Sequence, residues 1–317
     1  MKIVVLDGRT LNPGDLSWEP LRGLGTLEVH DRTTPSELTD RISRADVILT
    51  NKVRLPAEAL AQTPARLVSV LATGYDVVDI AAARSKGITV TNVAGYSTAS
   101  TAQLTVALLL ELTHRVGLHD QAVHAGEWVN SPDFCFWKSP LMELDQKTFL
   151  LVGAGTIGRR VAAIVEAMGM KVVAAELAGR SGAGRSDFPR LPFPEALAEA
   201  DVISLHCPLT PQTRHLIDAG SLARFKKSAF LINASRGGLI DEAALAVALQ
   251  SGQLAGFACD VLSTEPPAAD NPLLTAPRTV ITPHIAWASR ESRTRLLAET
   301  AENIRAFQTG QPRNVVT

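Results

Sequence analysis

The stretch Gly153-Ala154-Gly155-Thr156-Ile157-Gly158 constrains this chain more than any other. It follows an apolar run at 149–152 and opens a segment with helical periodicity at 157–168. In a strand–turn–helix unit each glycine has a task. The first permits the tight turn, the second lets backbone approach a pyrophosphate, and the third lets helix and strand pack closely. The helix start then offers unpaired N–H groups and the positive end of its dipole to phosphates. Glycine spacing alone is a weak signal. A strand before, a helix after and an acidic residue about 20 positions on make it specific. Glu176 meets the last condition, directly after the run at 171–175. A carboxylate there would accept from both ribose hydroxyls and repel a 2′-phosphate, so NAD is expected over NADP. Arg180 and Arg185 in the following loop would act the other way.

The loop sits inside a longer alternation. Apolar runs rich in Val and Ile occur at 3–6, 27–30, 47–50, 67–70 and 88–91, with helix-like stretches at 35–44 and 78–86 between them. Near-continuous apolar runs of this length read as strands covered on both faces. A second series has strands at 149–152, 171–175, 202–205, 229–233, 256–261 and 279–282, with helices at 157–168, 193–199 and 241–251. Six strands suit a doubly wound sheet of order 3-2-1-4-5-6. Between the series a long helix is predicted over 98–115, with Ser97 and Ser100 available to cap it. A loop-rich stretch with Trp128, Phe134, Phe136 and Trp137 follows. The segment 289–308 reads as one amphipathic helix. The fold class is therefore α/β, with two doubly wound parallel-sheet domains.

Several function classes lose support. The chain has 317 residues, 46% of them hydrophobic, enough for two domains. A formal net charge of -1 without basic clusters gives no footprint for nucleic acid. No apolar run approaches the ~20 residues of a membrane span, and the N-terminus turns acidic at Asp7, unlike a secretion signal. Cys135, Cys207 and Cys259 are too widely spaced for a metal site or a disulfide framework, so no metal and a cytoplasmic location are expected.

Ligands of open parallel sheets bind beyond the carboxyl ends of the strands. In the second series that edge carries the glycine loop, Glu176, His206-Cys207-Pro208, Ser235-Arg236-Gly237-Gly238, Glu265-Pro266-Pro267 and Pro283-His284. An imidazole, a guanidinium and a carboxylate thus share the cofactor's edge. Reduction of a 2-oxo acid leaves negative charge on the carbonyl oxygen, which needs an acid. Histidine titrates near working pH, and a neighbouring carboxylate holds its charged form. Arginine can grip the substrate carboxylate as a fork and polarise the carbonyl. Any one of these residues alone is more often a solvated loop side chain; their joint placement favours chemistry. His206 is read as backbone lining of the cleft, and Cys207 as packing.

These stretches resemble the D-isomer-specific 2-hydroxyacid dehydrogenases over nearly the whole chain. The resemblance is carried by Leu71-Ala72-Thr73-Gly74-Tyr75-Asp76, the glycine loop, His206-Cys207-Pro208-Leu209-Thr210, Ile232-Asn233-Ala234-Ser235-Arg236-Gly237-Gly238 and Thr282-Pro283-His284-Ile285-Ala286-Trp287. It implies a catalytic triad of Arg236, Glu265 and His284, with His284 as acid-base, Glu265 its partner and Arg236 the substrate's cation. It implies substrate contacts from the N–H groups of Thr73 and Gly74, and from Trp287, whose bulk would disfavour large substrates. Cofactor contacts are implied at Thr101, Gly153, Gly155, Thr156, Ile157, Gly158, Glu176, His206, Cys207, Pro208, Ala234, Ser235, Arg236, Asp260, His284 and Ala286, with Asp260 near the nicotinamide carboxamide.

The resemblance also implies a Rossmann cofactor domain, 98–285, inserted into a flavodoxin-like substrate domain, 1–97 with 286–317, and a homodimer paired through the cofactor domains. The aromatic stretch 128–137 would serve that contact or pack in the core. Asn51-Lys52-Val53, Ser131-Pro132-Asp133-Phe134 and 284–289 are most similar to glycerate dehydrogenases, also called hydroxypyruvate reductases. No regulatory domain is expected beyond residue 317. Two other readings stay open: an NAD-sensing scaffold of the same fold without turnover, and oxidation of another small anion such as phosphite. Glutamine in place of Glu265 would have pointed to formate.

Overall fold

The computed structural model describes residues 1–177 and 188–317, so Arg180 and Arg185 lie outside the described residues. The chain divides into two compact units, Met1–Ser97 with Trp287–Thr317, and Thr98–Ala286.

The first unit holds five strands, β1 (Lys2–Val5), β2 (Thr26–Val29), β3 (Val47–Thr50), β4 (Leu67–Val70) and β5 (Thr89–Thr91). All pair in parallel, in the order β2-β1-β3-β4-β5. This is the flavodoxin-like order 2-1-3-4-5. Side chains alternate between two faces. Val4, Ile48, Val68, Val70 and Val90 enter one core, while Ile3, Val5, Val47, Leu49 and Leu67 enter the other. The second core is closed by the helix Arg290–Gln308 through Leu296, Leu297, Ala301 and Ile304. Ser289 caps that helix, accepting from the Ser292 N–H.

The second unit holds seven strands: β6 (Thr148–Val152), β7 (Lys171–Glu176), β8 (Arg190–Pro192), β9 (Val202–Leu205), β10 (Phe230–Asn233), β11 (Gly256–Cys259) and β12 (Thr279–Ile281). Their order is β12-β11-β10-β9-β6-β7-β8, again all parallel. The six-strand expectation is corrected here. The third strand along the chain is the edge strand Arg190–Pro192, and Val202–Leu205 pairs directly with β6. Three residues ending in proline carry no periodic signal, and proline is tolerated at a sheet edge because no further N–H is needed there.

The strand order reverses between β6 and β9, where ligands of such sheets bind. The helix Thr98–His114 covers one face, setting Ala102, Val106, Leu109 and Leu112 against Phe149, Leu151, Ile232 and Ala258. Ser100 does not serve as its cap: its hydroxyl donates to the Ala286 carbonyl at 2.6 Å. Arg115, at φ +50°, turns the chain into a second helix, Val116–His124. Beyond it Trp128, Phe134 and Trp137 are 53%, 90% and 68% exposed, so core packing does not account for these rings. Among the described residues no helix is long and apolar enough to cross a membrane.

Candidate active site

The glycine loop joins β6 to the helix Thr156–Ala167. Gly153 has φ +108°, and a Cβ on it would stand 2.6 Å from the Cys207 nitrogen. A Cβ on Gly158 would stand 2.3 Å from the Gly153 carbonyl oxygen. Those glycines are therefore fixed by backbone packed on backbone. Gly155, the N-cap, has open space over its missing side chain, and no side chain caps the helix. Thr156, Ile157 and Gly158 form the first turn of that helix, where N–H groups are left over by helix geometry. An open, uncapped N-terminus at the strand-order reversal fits a dinucleotide pyrophosphate. Glu176 ends β7 and is exposed, as a ribose partner needs to be.

His206 and Cys207 lie just past β9. Cys207 is buried, with its side chain in the core, so only its backbone faces the loop. His206 Nε2 is 2.8 Å from the Ser204 hydroxyl, and burial pushes its imidazole down to about 4. A ring with that pKa stays neutral at working pH, which keeps His206 apart from acid-base chemistry. Ser235 closes the same corner, its hydroxyl donating to the Cys207 carbonyl at 2.8 Å.

Arg236 is aimed by an asparagine that the sequence reading did not single out. Asn233, fully buried at the end of β10, accepts the Ser235 N–H at 3.0 Å and donates Nδ2 to the Arg236 carbonyl at 2.9 Å. One amide thus folds the turn Ala234-Ser235 and leaves Arg236 exposed at the sheet edge. The signal was present: an amide closing the otherwise apolar strand Phe230–Asn233.

The turn is also locked against the next loop. A Cβ on Gly237 would fall 2.0 Å from the Leu262 carbonyl carbon, so only glycine lets the peptide after Arg236 lie on the Leu262-Ser263 backbone. The Leu262 N–H in turn donates to Oε1 of Glu265, three residues on, at 3.1 Å. Glu265 Oε2 lies 2.6 Å from His284 Nδ1. The three predicted triad residues are thereby connected: Arg236 through Gly237 to the Glu265 loop, and Glu265 directly to the imidazole. The pair is about two-thirds buried, with side-chain exposures of 28% for His284 and 34% for Glu265.

His284 stands in the left-handed region at φ +54°. A non-glycine residue stays there only when its surroundings over-determine it. Asp260 does so. This carboxylate is 1% exposed and accepts the Thr282 hydroxyl at 2.6 Å, the Ile285 N–H at 2.8 Å and the Ala286 N–H at 2.7 Å. Burial raises its pKa, and the three donors, together with the His284 charge, act against that rise. Both oxygens are thus engaged by the His284 loop, a role that sequence alone does not show. Thr101, also buried, lies on the helix Thr98–His114 of the same unit.

Thr73, Gly74 and Trp287 belong to the first unit. The Thr73 hydroxyl donates to the Val93 carbonyl at 3.1 Å, and its own carbonyl accepts Asn92 Nδ2 at 2.7 Å. Trp287 packs against the core formed with the helix Arg290–Gln308.

Comparison with known proteins bears on this arrangement. The family description "D-isomer specific 2-hydroxyacid dehydrogenase, NAD binding domain" matches residues 106–286. A hydroxypyruvate reductase of Blautia hydrogenotrophica is 47% identical over 320 aligned residues, covering 100% of this chain and 99% of that protein. A glycerate dehydrogenase of Methylorubrum extorquens is 39% identical, covering 91% of each. Among solved structures, an acyclic imino acid reductase in complex with NADPH and D-Arg superposes with a TM-score of 0.86 at 28% identity, covering 100% of both chains. The chain belongs to the D-isomer-specific 2-hydroxyacid dehydrogenase family, nicotinamide-dependent oxidoreductases of small 2-hydroxy and 2-oxo acids.

Proposed function

We propose that the protein reduces hydroxypyruvate to D-glycerate, or glyoxylate to glycolate, with NADH, through Arg236, Glu265 and His284. The 2.6 Å contact between His284 and Glu265, at the strand ends that also carry the glycine loop, is the observation that carries this reading. When bound, the nicotinamide supplies the hydride for C2. Glu265 holds Nδ1 of the imidazole and stabilises its charged form, so that Nε2 delivers a proton to the forming alkoxide. In the reverse direction the neutral ring takes the hydroxyl proton. Arg236 binds the substrate carboxylate and draws charge toward the carbonyl oxygen.

Thr73 and Gly74 are proposed as backbone donors to the substrate carboxylate. Trp287, three positions beyond His284, supports small over bulky side chains. The pyrophosphate is assigned to the N–H groups at 155–158 and the adenosine ribose to Glu176, which favours NAD over NADP. The remaining proposed cofactor contacts are Thr101, the backbone at 206–208 and 234–236, Asp260 and Ala286. The exposed rings of Trp128, Phe134 and Trp137 support a homodimer built on the second unit. Three free cysteines support a cytoplasmic setting.

Steady-state assays with hydroxypyruvate, glyoxylate, pyruvate and bulkier 2-oxo acids, each with NADH and NADPH, test the proposal. The expected result is the highest kcat/KM for hydroxypyruvate or glyoxylate with NADH. Cofactor binding without turnover on any of these acids would overturn it in favour of a binding scaffold.

A further inference from the structure

We propose that Glu242 is a positioning residue for the reaction, fixing the loop that presents Glu265 to His284. Glu242 is the first residue of the helix Glu242–Gln250, whose N-cap Asp241 accepts from Ala244. Its side chain turns away from its own helix. Oε1 accepts the Ser263 N–H at 2.6 Å, and Oε2 accepts both the Ser263 hydroxyl and Asn271 Nδ2, each at 2.8 Å. Asn271 is oriented by its other end, Oδ1 accepting the Leu273 N–H at 3.0 Å.

The carboxylate therefore ties both ends of the segment 264–270. Apart from the partly buried Glu265 side chain the segment is exposed, so no core packing fixes it. Glu265 lies two positions past the first tie. The consecutive N–H groups of Leu262 and Ser263 go to two different carboxylates, Glu265 and Glu242. Joining the ends of a flexible loop costs entropy, and a charged double acceptor on a helix offsets that cost before substrate arrives. Released from Glu242, the segment would sample positions in which Glu265 leaves the imidazole. A misplacement of about 1 Å remote from the chemistry can cost about 100-fold in rate.

This inference rests on the proposed roles of His284 and Glu265, and the test separates the two. Hydroxypyruvate reduction is measured against pH for wild type, Glu242→Ala, Glu242→Gln, Glu265→Gln and the Glu242→Ala/Glu265→Gln double variant, with NADH affinity measured directly. Glu242→Ala should lower kcat about 10- to 100-fold with NADH affinity kept. It should also move the limb of the pH profile that depends on Glu265 toward its position in Glu265→Gln. Glu242→Gln, which keeps one acceptor oxygen but turns an amide NH2 toward one of the remaining donors, should lose less than Glu242→Ala without regaining the wild-type kcat. The double variant should be little worse than Glu265→Gln alone, because residues acting through one contact are not additive. Wild-type kcat and an unmoved limb in Glu242→Ala overturn the inference. So do fully additive losses, which point to a merely structural role, and Glu242→Gln keeps the test decisive should Glu242→Ala fold poorly. If Glu265→Gln itself matches wild type, the proposed triad has failed instead.

Discussion

The Ala286 N–H donates to Asp260 Oδ2 at 2.7 Å, while the neighbouring Ile285 N–H donates to Oδ1 at 2.8 Å. One buried carboxylate thus holds both peptides that follow His284. Asp260→Ala would leave both N–H groups without an acceptor, while the Thr282 hydroxyl would keep only the Cys259 carbonyl at 3.3 Å. Each unsatisfied buried donor costs about 1–3 kcal/mol, so denaturant titration should show at least about 2 kcal/mol lost. Asp260→Asn, which keeps one acceptor, should lose less stability. Both should slow turnover, because His284 gives up its left-handed backbone. Unchanged stability in Asp260→Ala would show that the loop finds other acceptors.

Gly237 offers a second, independent handle. Its Cβ position lies 2.0 Å from the Leu262 carbonyl carbon, and backbone cannot swing aside as a side chain can. Gly237→Ala should cost about 1–3 kcal/mol or more and separate the Arg236 turn from the Glu265 loop. Melting and kinetics read together check this: a lower Tm with kcat/KM reduced well beyond any loss of folded protein. A variant with the wild-type Tm would mean that the two loops are not locked.

His206 gives a pH prediction. Its folded-state pKa is about 4 against an ordinary value of 6.5. The unfolded chain therefore binds this proton first as the solution is acidified. The stability tied to the neutral ring is full above about pH 6.5 and is lost as pH falls toward 4. At 1.36 kcal/mol per unit the loss is at most about 3 kcal/mol. Denaturant titrations at pH 7.5 and 4.5 should show a larger fall for wild type than for His206→Gln. Parallel falls would contradict it.

The exposed rings make a prediction about assembly. Phe134 and Trp137 present large apolar area to solvent. Sedimentation should find wild type at twice the 33.8 kDa of one chain, and Phe134→Ser/Trp137→Ser shifted toward a single chain. A wild-type monomer would remove the proposed dimer.

Much of the architecture could be read from the chain because its signals are local. Apolar runs at 47–50 and 67–70 coincide with β3 and β4 residue for residue, since strands buried on both faces admit little but Val, Ile and Leu. The edge strand β8 escaped because Arg190–Pro192 needs neither an apolar pattern nor a full set of hydrogen bonds. The site divides in the same way. Glycines 153, 155 and 158 announce themselves by their spacing, the first and last fixed by backbone packed on backbone and Gly155 leaving open space at the helix start. Arg236, Glu265 and His284 were found from strand ends and resemblance, with Glu265 as the partner of His284, but the scaffold that links them was not. It depends on Gly237 against Leu262, Asn233 beneath Arg236 and Asp260 under the His284 loop, contacts between residues 25 or 26 positions apart or folded into one turn. A buried carboxylate that serves only backbone N–H groups looks, in a sequence, like any other aspartate. Asp260 was accordingly read as a cofactor contact, and Glu242 was passed over.

The central claim is that His284 delivers the proton in a hydride transfer that the second unit organises. It is tested most directly by His284→Ala, with NADH binding followed by fluorescence and hydroxypyruvate reduction followed by absorbance. Loss of a general acid costs about 100- to 10,000-fold. The account predicts a fall in kcat within that range with NADH affinity within about twofold of wild type. Turnover near the wild-type rate in His284→Ala, with cofactor bound, would contradict it.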